Sequence, residues 1–149
     1  MAGETVVRPV RPGDRDAWEP LWQGYLTFYQ ATLAPDVTNA TWRRFFDPLE
    51  GLGALVAARD GRLIGLAHYL LHRSTWAPVC YCYLEDLFVE PSVRGSGAGR
   101  ALIAAVEAAA RDAGASRLYW MTHETNQTAQ KLYNQVAERP GFVQYRKKF

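Results

Sequence analysis

Between Glu85 and Ile103 the sequence runs EDLFVEPSVRGSGAGRALI. Gly95, Gly97 and Gly99 alternate with small residues, Arg94 and Arg100 bracket them, and an apolar stretch comes just before. A strand, a glycine turn and then a helix make an anion site. The first helical turn has unpaired N–H groups and a partial positive charge, and glycines let a phosphate or pyrophosphate come against them. The other reading is a plain tight turn, which three glycines framed by two arginines disfavour. Two phosphate patterns are excluded. The P-loop requires Gly-Lys followed by Ser or Thr, and here Gly99 is followed by Arg100 and Ala101. The dinucleotide fingerprint G-x-G-x-x-G fails from either starting glycine, because its last position falls on Arg100 or Leu102.

Other side chains have the chemistry for acid–base or ligand roles. Glu85 and Asp86 sit together inside an otherwise apolar run. Asp suits strands poorly, and buried carboxylates need partners. Strand alternation sends the two side chains to opposite faces, so they are not expected to form a simple catalytic pair. Tyr133 shares a helix face with Asn126 and Ala129 by spacings of three, four and seven. There it is either a packed amphipathic tyrosine or a proton donor. His68 and His72 share a strand face without a third ligand at a recognisable spacing, and His123 stands apart, so no metal is expected. Cys80 and Cys82 have no second pair to complete a zinc site. They read as reduced, buried residues of a reducing compartment.

The elements that must hold these groups follow from periodicity. TVVRPVRPGD is a short strand ending in a Pro-Gly turn, with Asp14 as a helix cap. Trp18, Trp22, Tyr25 and Tyr29 form an aromatic stripe at helical spacing, which is more often core than pocket. Asn39 is placed to cap a short helix through ATWRRFF. Two apolar runs flank Asp60-Gly61, a hairpin signal, and VCYCYLEDLFV is a long β-rich run. RALIAAVEAAARDAGA is a helix with Leu102, Val106, Ala109 and Ala113 on one face and Gly114 as its stop. RLYWMTH is a strand, NQTAQKLYNQVAE a helix ended by Pro140-Gly141, and FVQYRKKF a last strand. The 149 residues are 48% hydrophobic and 21% charged, without repeats or linkers, so residues 1–149 read as one α/β domain. The net charge of +2 is too small to argue for a nucleic-acid or membrane partner, and the basic run Arg146 to Lys148 reads as a solvated chain end. No run approaches membrane-spanning length and MAGETVVRPV lacks the apolar segment of a signal peptide, which points to a cytoplasmic protein.

RGSGAGRAL resembles the R-x-x-G-x-G/A signature of the GNAT superfamily of N-acetyltransferases, with Arg94, Gly97 and Gly99 on the signature positions. The preceding YLEDLFVEPSVRG matches the same family. NQTAQKLYNQVAERPGF resembles its N-x-x-A-x-x-L-Y…G-F segment through Asn126, Ala129, Leu132, Tyr133, Gly141 and Phe142. Three motifs in order are more specific than the loop alone. YLEDLFV looks closest to the diamine and polyamine acetyltransferases and to related small-amine and histone-type enzymes. The resemblance implies a mixed, mostly antiparallel sheet flanked by helices and splayed where acetyl-CoA enters.

It also implies roles. Acetyl-CoA is the expected co-substrate, its pyrophosphate held by Arg94, Gly95, Ser96, Gly97, Ala98, Gly99 and Arg100, with Asn126 and Tyr133 beside it. Leu87, Phe88 and Val89 are expected to pair through backbone with the pantetheine arm like an added strand, and an N–H of Leu87 or Phe88 to face the thioester oxygen. Tyr133 is the expected acid for the departing thiolate, its phenol having a reference pKa of about 10 against about 8.5 for a thiol. Glu85 is the expected base, directly or through water, because an alkylamine with a pKa of about 10.4 is roughly one part in a thousand neutral near pH 7. Trp22, Tyr25, Tyr29, Glu85 and Glu124 are expected to line the acceptor's approach, where aromatic faces and carboxylates favour a cationic small amine or polyamine. A peptide or histone-like lysine acceptor and a non-catalytic acyl-CoA-binding module are the competing readings. Related enzymes are often dimers, so a homodimer is expected by resemblance.

Overall fold

Asp60 and Gly61 both take left-handed backbone conformations, with φ of +51° and +77°. That is what a two-residue turn between twisted antiparallel strands requires, and it joins β2 (Leu52–Arg59) to β3 (Arg62–His72) with Arg59 opposite Arg62. The computed structural model describes residues 3–149; Met1 and Ala2, which open the expected 1–149 domain, lie outside the described residues. The other strands are β1 (Thr5–Pro9), β4 (Tyr81–Val89) and β5 (Leu118–Tyr119). The helices are α1 (Arg15–Phe28), α2 (Pro35–Arg44), α3 (Ala98–Asp112) and α4 (Gln127–Val136). The sheet runs β1-β2-β3-β4-β5, antiparallel throughout except for the parallel β4–β5 pair. This is the mixed, mostly antiparallel α/β architecture that the motifs imply.

Alternate residues of the central strands face two cores. On one side Ala54, Val56 and Leu66 pack with Trp18, Leu21, Trp22 and Leu26 of α1 and Trp42 of α2. On the other, Leu55, Ala57, Ile64 and Ala67 pack with Leu102, Ile103, Val106 and Ala110 of α3. The buried face of α3 is thus set by Leu102, Val106 and Ala110, not by the expected Ala109 and Ala113, because Ile103 also turns inward and rotates the stripe. Gly65 lets α3 lie close: a Cβ there would stand 2.9 Å from the Phe88 carbonyl oxygen and 3.1 Å from Leu102 Cδ1.

Two features open the sheet at one end. β5 pairs with β4 only through Cys82–Leu118 and Tyr83–Tyr119, so the β4 edge beyond Tyr83 has no strand beside it. The β3–β4 register also slips, passing from His68–Asp86 to Tyr69–Leu84 and leaving Glu85 unpaired. This is a β-bulge. Leu84 and Leu87 both pack into the α3-side core although they are three residues apart, while Phe88 belongs to the α1 side. Alternation next to the α3-side residues Leu84 and Leu87 therefore sends both Glu85 and Asp86 to the α1 side. The expectation of opposite faces fails because a bulge breaks the alternation on which it rests.

Other expectations are corrected locally. Asp14 stands at the N-cap of α1, but its carboxylate binds Arg8 at 2.8 Å and the Arg11 N–H at 2.7 Å instead of capping the helix. Asn39 lies inside α2, which starts at Pro35, and accepts a bond from Arg15. The last strand does not form: residues 137–149 carry no strand, and Phe142, Val143, Tyr145 and Phe149 are exposed. The edge strand β5 spans only Leu118–Tyr119, too short a partner to hold this arm in a ladder.

Candidate active site

The open end of the sheet forms one wall of a cleft of about 560 Å³. The other walls come from the end of α1, the glycine loop and α4. The loop's conformation explains its glycines. Gly95 and Gly97 have φ of +83° and +89°, values that L side chains rarely adopt. A Cβ on either would meet no protein atom within 4 Å. Backbone handedness, not crowding by the protein itself, demands glycine here, and the space in front of the loop is free for a ligand. Gly97 is the N-cap of α3, and the first bond into the helix runs from Ala101 N–H to the Gly97 carbonyl. Among the described residues, the N–H groups from Gly95 to Arg100 have no backbone carbonyl as partner. They converge with the helix dipole on the cleft, as an anion site requires.

The charges agree with an anionic ligand. Arg94, Arg100 and Lys131 line the cleft, and no carboxylate does. Arg94 donates to the Val89 carbonyl at 2.9 Å and lies 5.4 Å from the Phe88 ring centroid, which fixes it against the wall. Arg100 bonds to Gln135 of α4. Gly99 sits against α4, 3.5 Å from Leu132 Cδ2 when a Cβ is placed on it. Ala98 is buried beneath the loop, while Ser96 is exposed, its hydroxyl bonded to the Val93 carbonyl and turned from the cleft. A pyrophosphate-bearing acyl carrier such as acetyl-CoA fits this set of free N–H groups and cations without carboxylate partners among the described residues, and the open β4 edge through Leu87, Phe88 and Val89 offers an extended ligand a strand-like partner.

Asn126, Ala129 and Tyr133 all face the cleft. Asn126 caps α4, accepting from the Ala129 N–H at 3.3 Å, so its side-chain oxygen is engaged in the helix. Burial, and after it the neighbouring Tyr29, pushes the Tyr133 phenol up to about 12. Tyr133 is therefore protonated at any physiological pH. The reference thiol is the stronger acid by about three powers of ten, so outright proton transfer from Tyr133 to a thiolate is uphill. Tyr133 is suited to donate a hydrogen bond to a developing negative charge, which revises the expectation of a free proton donor.

The aromatic stripe of α1 divides. Trp18 and Trp22 are core: Trp22 is 5% exposed and gives its N–H to the Thr38 hydroxyl at 3.1 Å. The expected acceptor role for Trp22 is corrected accordingly, since its ring lies behind Tyr25 and not in the cleft. Tyr25 and Tyr29 do line the cleft, joined by Phe28, which the stripe omits although it stands three residues after Tyr25. Glu124 is exposed and does not line the cleft. Its segment is held instead through its carbonyl, which accepts from Gln130 at 3.0 Å. Glu85 lies beside the cleft at the bulge, with its carbonyl 3.5 Å from the Tyr25 hydroxyl. Partial burial, then the charge of Asp86, raises the Glu85 carboxyl above the usual carboxylate range.

Sequence reasoning missed Thr128, Lys131 and Gln135, which share the cleft face of α4 with Asn126 and Tyr133 at helical spacings. It also missed the partners of Asp86. Among the described residues no group of three or more His, Cys, Asp or Glu could hold a metal, and no helix is long and apolar enough to cross a membrane. Cys80 and Cys82 are free, and burial and then Cys80 push the Cys82 thiol up to about 11.

The sequence model of the acetyltransferase (GNAT) family matches residues 16–137 of this chain. The D-amino-acid N-acetyltransferase HPA3 of Saccharomyces cerevisiae is 37% identical over 144 residues, 95% of this chain and 89% of that protein. The aminoglycoside N(6')-acetyltransferase type 1 of Stenotrophomonas maltophilia is 35% identical over 125 residues, 79% of this chain and 75% of that protein. The structure of AAC(6')-Iy in complex with the bisubstrate analogue CoA-S-monomethyl-acetylneamine superposes with a TM-score of 0.85 at 22% identity, covering 98% of this chain and 99% of that one.

Proposed function

The chain belongs to the acetyltransferase (GNAT) family and is an acetyl-CoA-dependent N-acetyltransferase, and from that premise we propose that its acceptor is a small cationic amine, with a di- or polyamine as the leading class. The observation that carries this reading is the division of charge. The charged residues that line the cleft are Arg94, Arg100 and Lys131, all cations, whereas the bulge beside it holds Glu85 and Asp86 next to Tyr25 and Tyr29. Anion and cation are thus sorted to opposite ends of one site, with aromatic faces at the cationic acceptor's end.

Acetyl-CoA, held along the loop and the β4 edge, supplies an activated acetyl group. Glu85, raised by burial and by Asp86, accepts a proton from the incoming ammonium directly or through water. The neutral nitrogen forms the new C–N bond as the C–S bond breaks. A backbone N–H of Leu87 or Phe88 on the open edge stabilises the carbonyl oxygen. Tyr133 donates a hydrogen bond to the departing sulfur, and the proton that finally resides there originates on the amine. The Gly95–Arg100 N–H groups, Arg94, Arg100 and Asn126 hold and orient the carrier.

Following thiol release from acetyl-CoA with 1,4-diaminobutane, lysine, D- and L-amino acids, an aminoglycoside and an arylamine tests the assignment. Cationic aliphatic amines should give the highest kcat/KM, and a clear preference for the arylamine refutes it. A second reading, the α-amine of an amino acid, is favoured by the likeness to the yeast D-amino-acid enzyme along 95% of the chain. A higher kcat/KM for D-amino acids than for any diamine decides for that reading. The free, buried Cys82 supports a reducing, cytoplasmic setting. A homodimer is part of the proposal too, supported by the exposed arm after α4 and the unpaired outer edge of β5.

A further inference from the structure

His68 is the buried histidine of the sheet, 3% exposed, packed between the rings of Trp18, Trp22 and Phe45. Its Nε2 lies 3.0 Å from Trp18 Nε1, and its Nδ1 lies 2.9 Å from Asp86 Oδ2. An indole N–H is a donor only. Nε2 must therefore be the bare, accepting nitrogen, and the single ring proton sits on Nδ1, where it is donated to the carboxylate. A second proton on Nε2 would set two N–H groups head to head. His68 is thus held as the neutral Nδ1–H tautomer and brings no positive charge to Asp86. Among the described residues this ring is the only ion-pair partner Asp86 has, and the Asp86 side chain is 12% exposed.

We propose that Trp18, His68 and Asp86 form a one-way hydrogen-bond chain that keeps an uncompensated negative charge beside Glu85, and that Asp86 is thereby the positioning residue that draws the acceptor's ammonium to the bulge and keeps Glu85 basic enough to take its proton. This rests on the reading of the bulge as the acceptor's side. The field of Asp86 raises Glu85, whereas a charged His68 ring would lower it, so the neutral tautomer matters to both. On β4 the field of Asp86 acts on Glu85 and Tyr83, and on α1 it acts on Tyr25 and Tyr29. Arg15 of α1 lies over Trp18 at 5.7 Å, and Phe45, the residue after α2, is uncharged. Removing the charge has two effects of defined sign. An ammonium binds less well, and Glu85 becomes a weaker base.

Asp86→Asn keeps the shape and removes the charge. The folded variant should show a KM for 1,4-diaminobutane raised about tenfold or more, an unchanged acetyl-CoA Kd, and an acid limb of kcat/KM moved to lower pH. A residue that only braces the bulge would lower Tm and kcat and leave the limb in place. Trp18→Phe keeps the ring packing and frees Nε2 to take a proton. It should imitate Asp86→Asn at acid pH and return toward wild type at higher pH. ¹⁵N NMR of the wild-type protein should show His68 as the Nδ1–H tautomer across the active pH range. A folded Asp86→Asn with unchanged KM and acid limb overturns the proposal, and so does a doubly protonated His68 ring in the wild type, whether or not the variants fold. A wild-type protein that acetylates no amine refutes the acceptor reading instead, and the NMR result still decides the hydrogen-bond chain.

Discussion

Replacing Gly97 by alanine separates what the loop does for the fold from what it does for the cofactor. Gly97 has φ of +89° and ψ of 0°, at the N-cap of α3. A side chain in that left-handed region costs about 1–2 kcal/mol. No protein atom lies within 4 Å of the added Cβ, so no clash enlarges this cost. For a domain of this size about 1 kcal/mol shifts Tm by roughly 2–4 °C, so the variant should lose roughly 2–8 °C and stay folded. The methyl group enters open space at the loop whose free N–H groups are expected to meet the pyrophosphate, so acetyl-CoA affinity should fall about tenfold or more, the loss of about one charge-assisted hydrogen bond. Gly114 supplies the control. Its φ is +81°, its Cβ position is equally open, and it ends α3 far from the cleft. Gly114→Ala should show a comparable Tm loss and wild-type affinity. Thermal melts and calorimetric titration with acetyl-CoA on both variants read the two quantities separately. Equal, unchanged affinities in folded Gly97→Ala and Gly114→Ala would refute the loop as the pyrophosphate site.

Three further outcomes are expected. Tyr133→Phe should lower kcat by roughly ten- to a thousandfold with little change in acetyl-CoA Kd, and a near-normal kcat would return Tyr133 to a packing role beside Trp120. Glu85 has its carboxyl raised in the fold, so ionising it opposes folding: the destabilisation is absent at pH below its unfolded value and grows as pH rises through the window up to its folded value. Glu85→Gln should accordingly raise Tm at neutral pH and not at acid pH, while lowering kcat/KM more at neutral than at alkaline pH; a Tm difference independent of pH counts against this. Ending the chain after Pro140 removes the exposed Phe142, Val143, Tyr145 and Phe149. Sedimentation should then show a dimer for the full chain and a monomer for the shortened one, and a full chain that is monomeric at micromolar concentration sinks the dimer.

Local chemistry made much of this protein legible from its sequence. Asp60-Gly61 specifies its turn because both residues tolerate positive φ. Gly114 ends α3 for the same reason, and the Arg94–Arg100 run marks a helix start with free N–H groups because glycines and a helix-forming run are neighbours in the chain. Asn126, Ala129 and Tyr133 share a cleft face because a helix imposes that spacing. What lay beyond reach depended on contacts between distant segments. The slip of register at Glu85 arises from how β4 meets β3, and it alone puts Glu85 and Asp86 on one side of the sheet. Trp22 is core and Tyr25 is cleft because α1 crosses the sheet edge between them, which a periodic stripe does not encode. FVQYRKKF reads as a strand by composition, yet a strand needs a partner edge of matching length, and β5 offers only Leu118–Tyr119. The state of His68 is decided by Trp18, fifty residues away, whose indole can only donate.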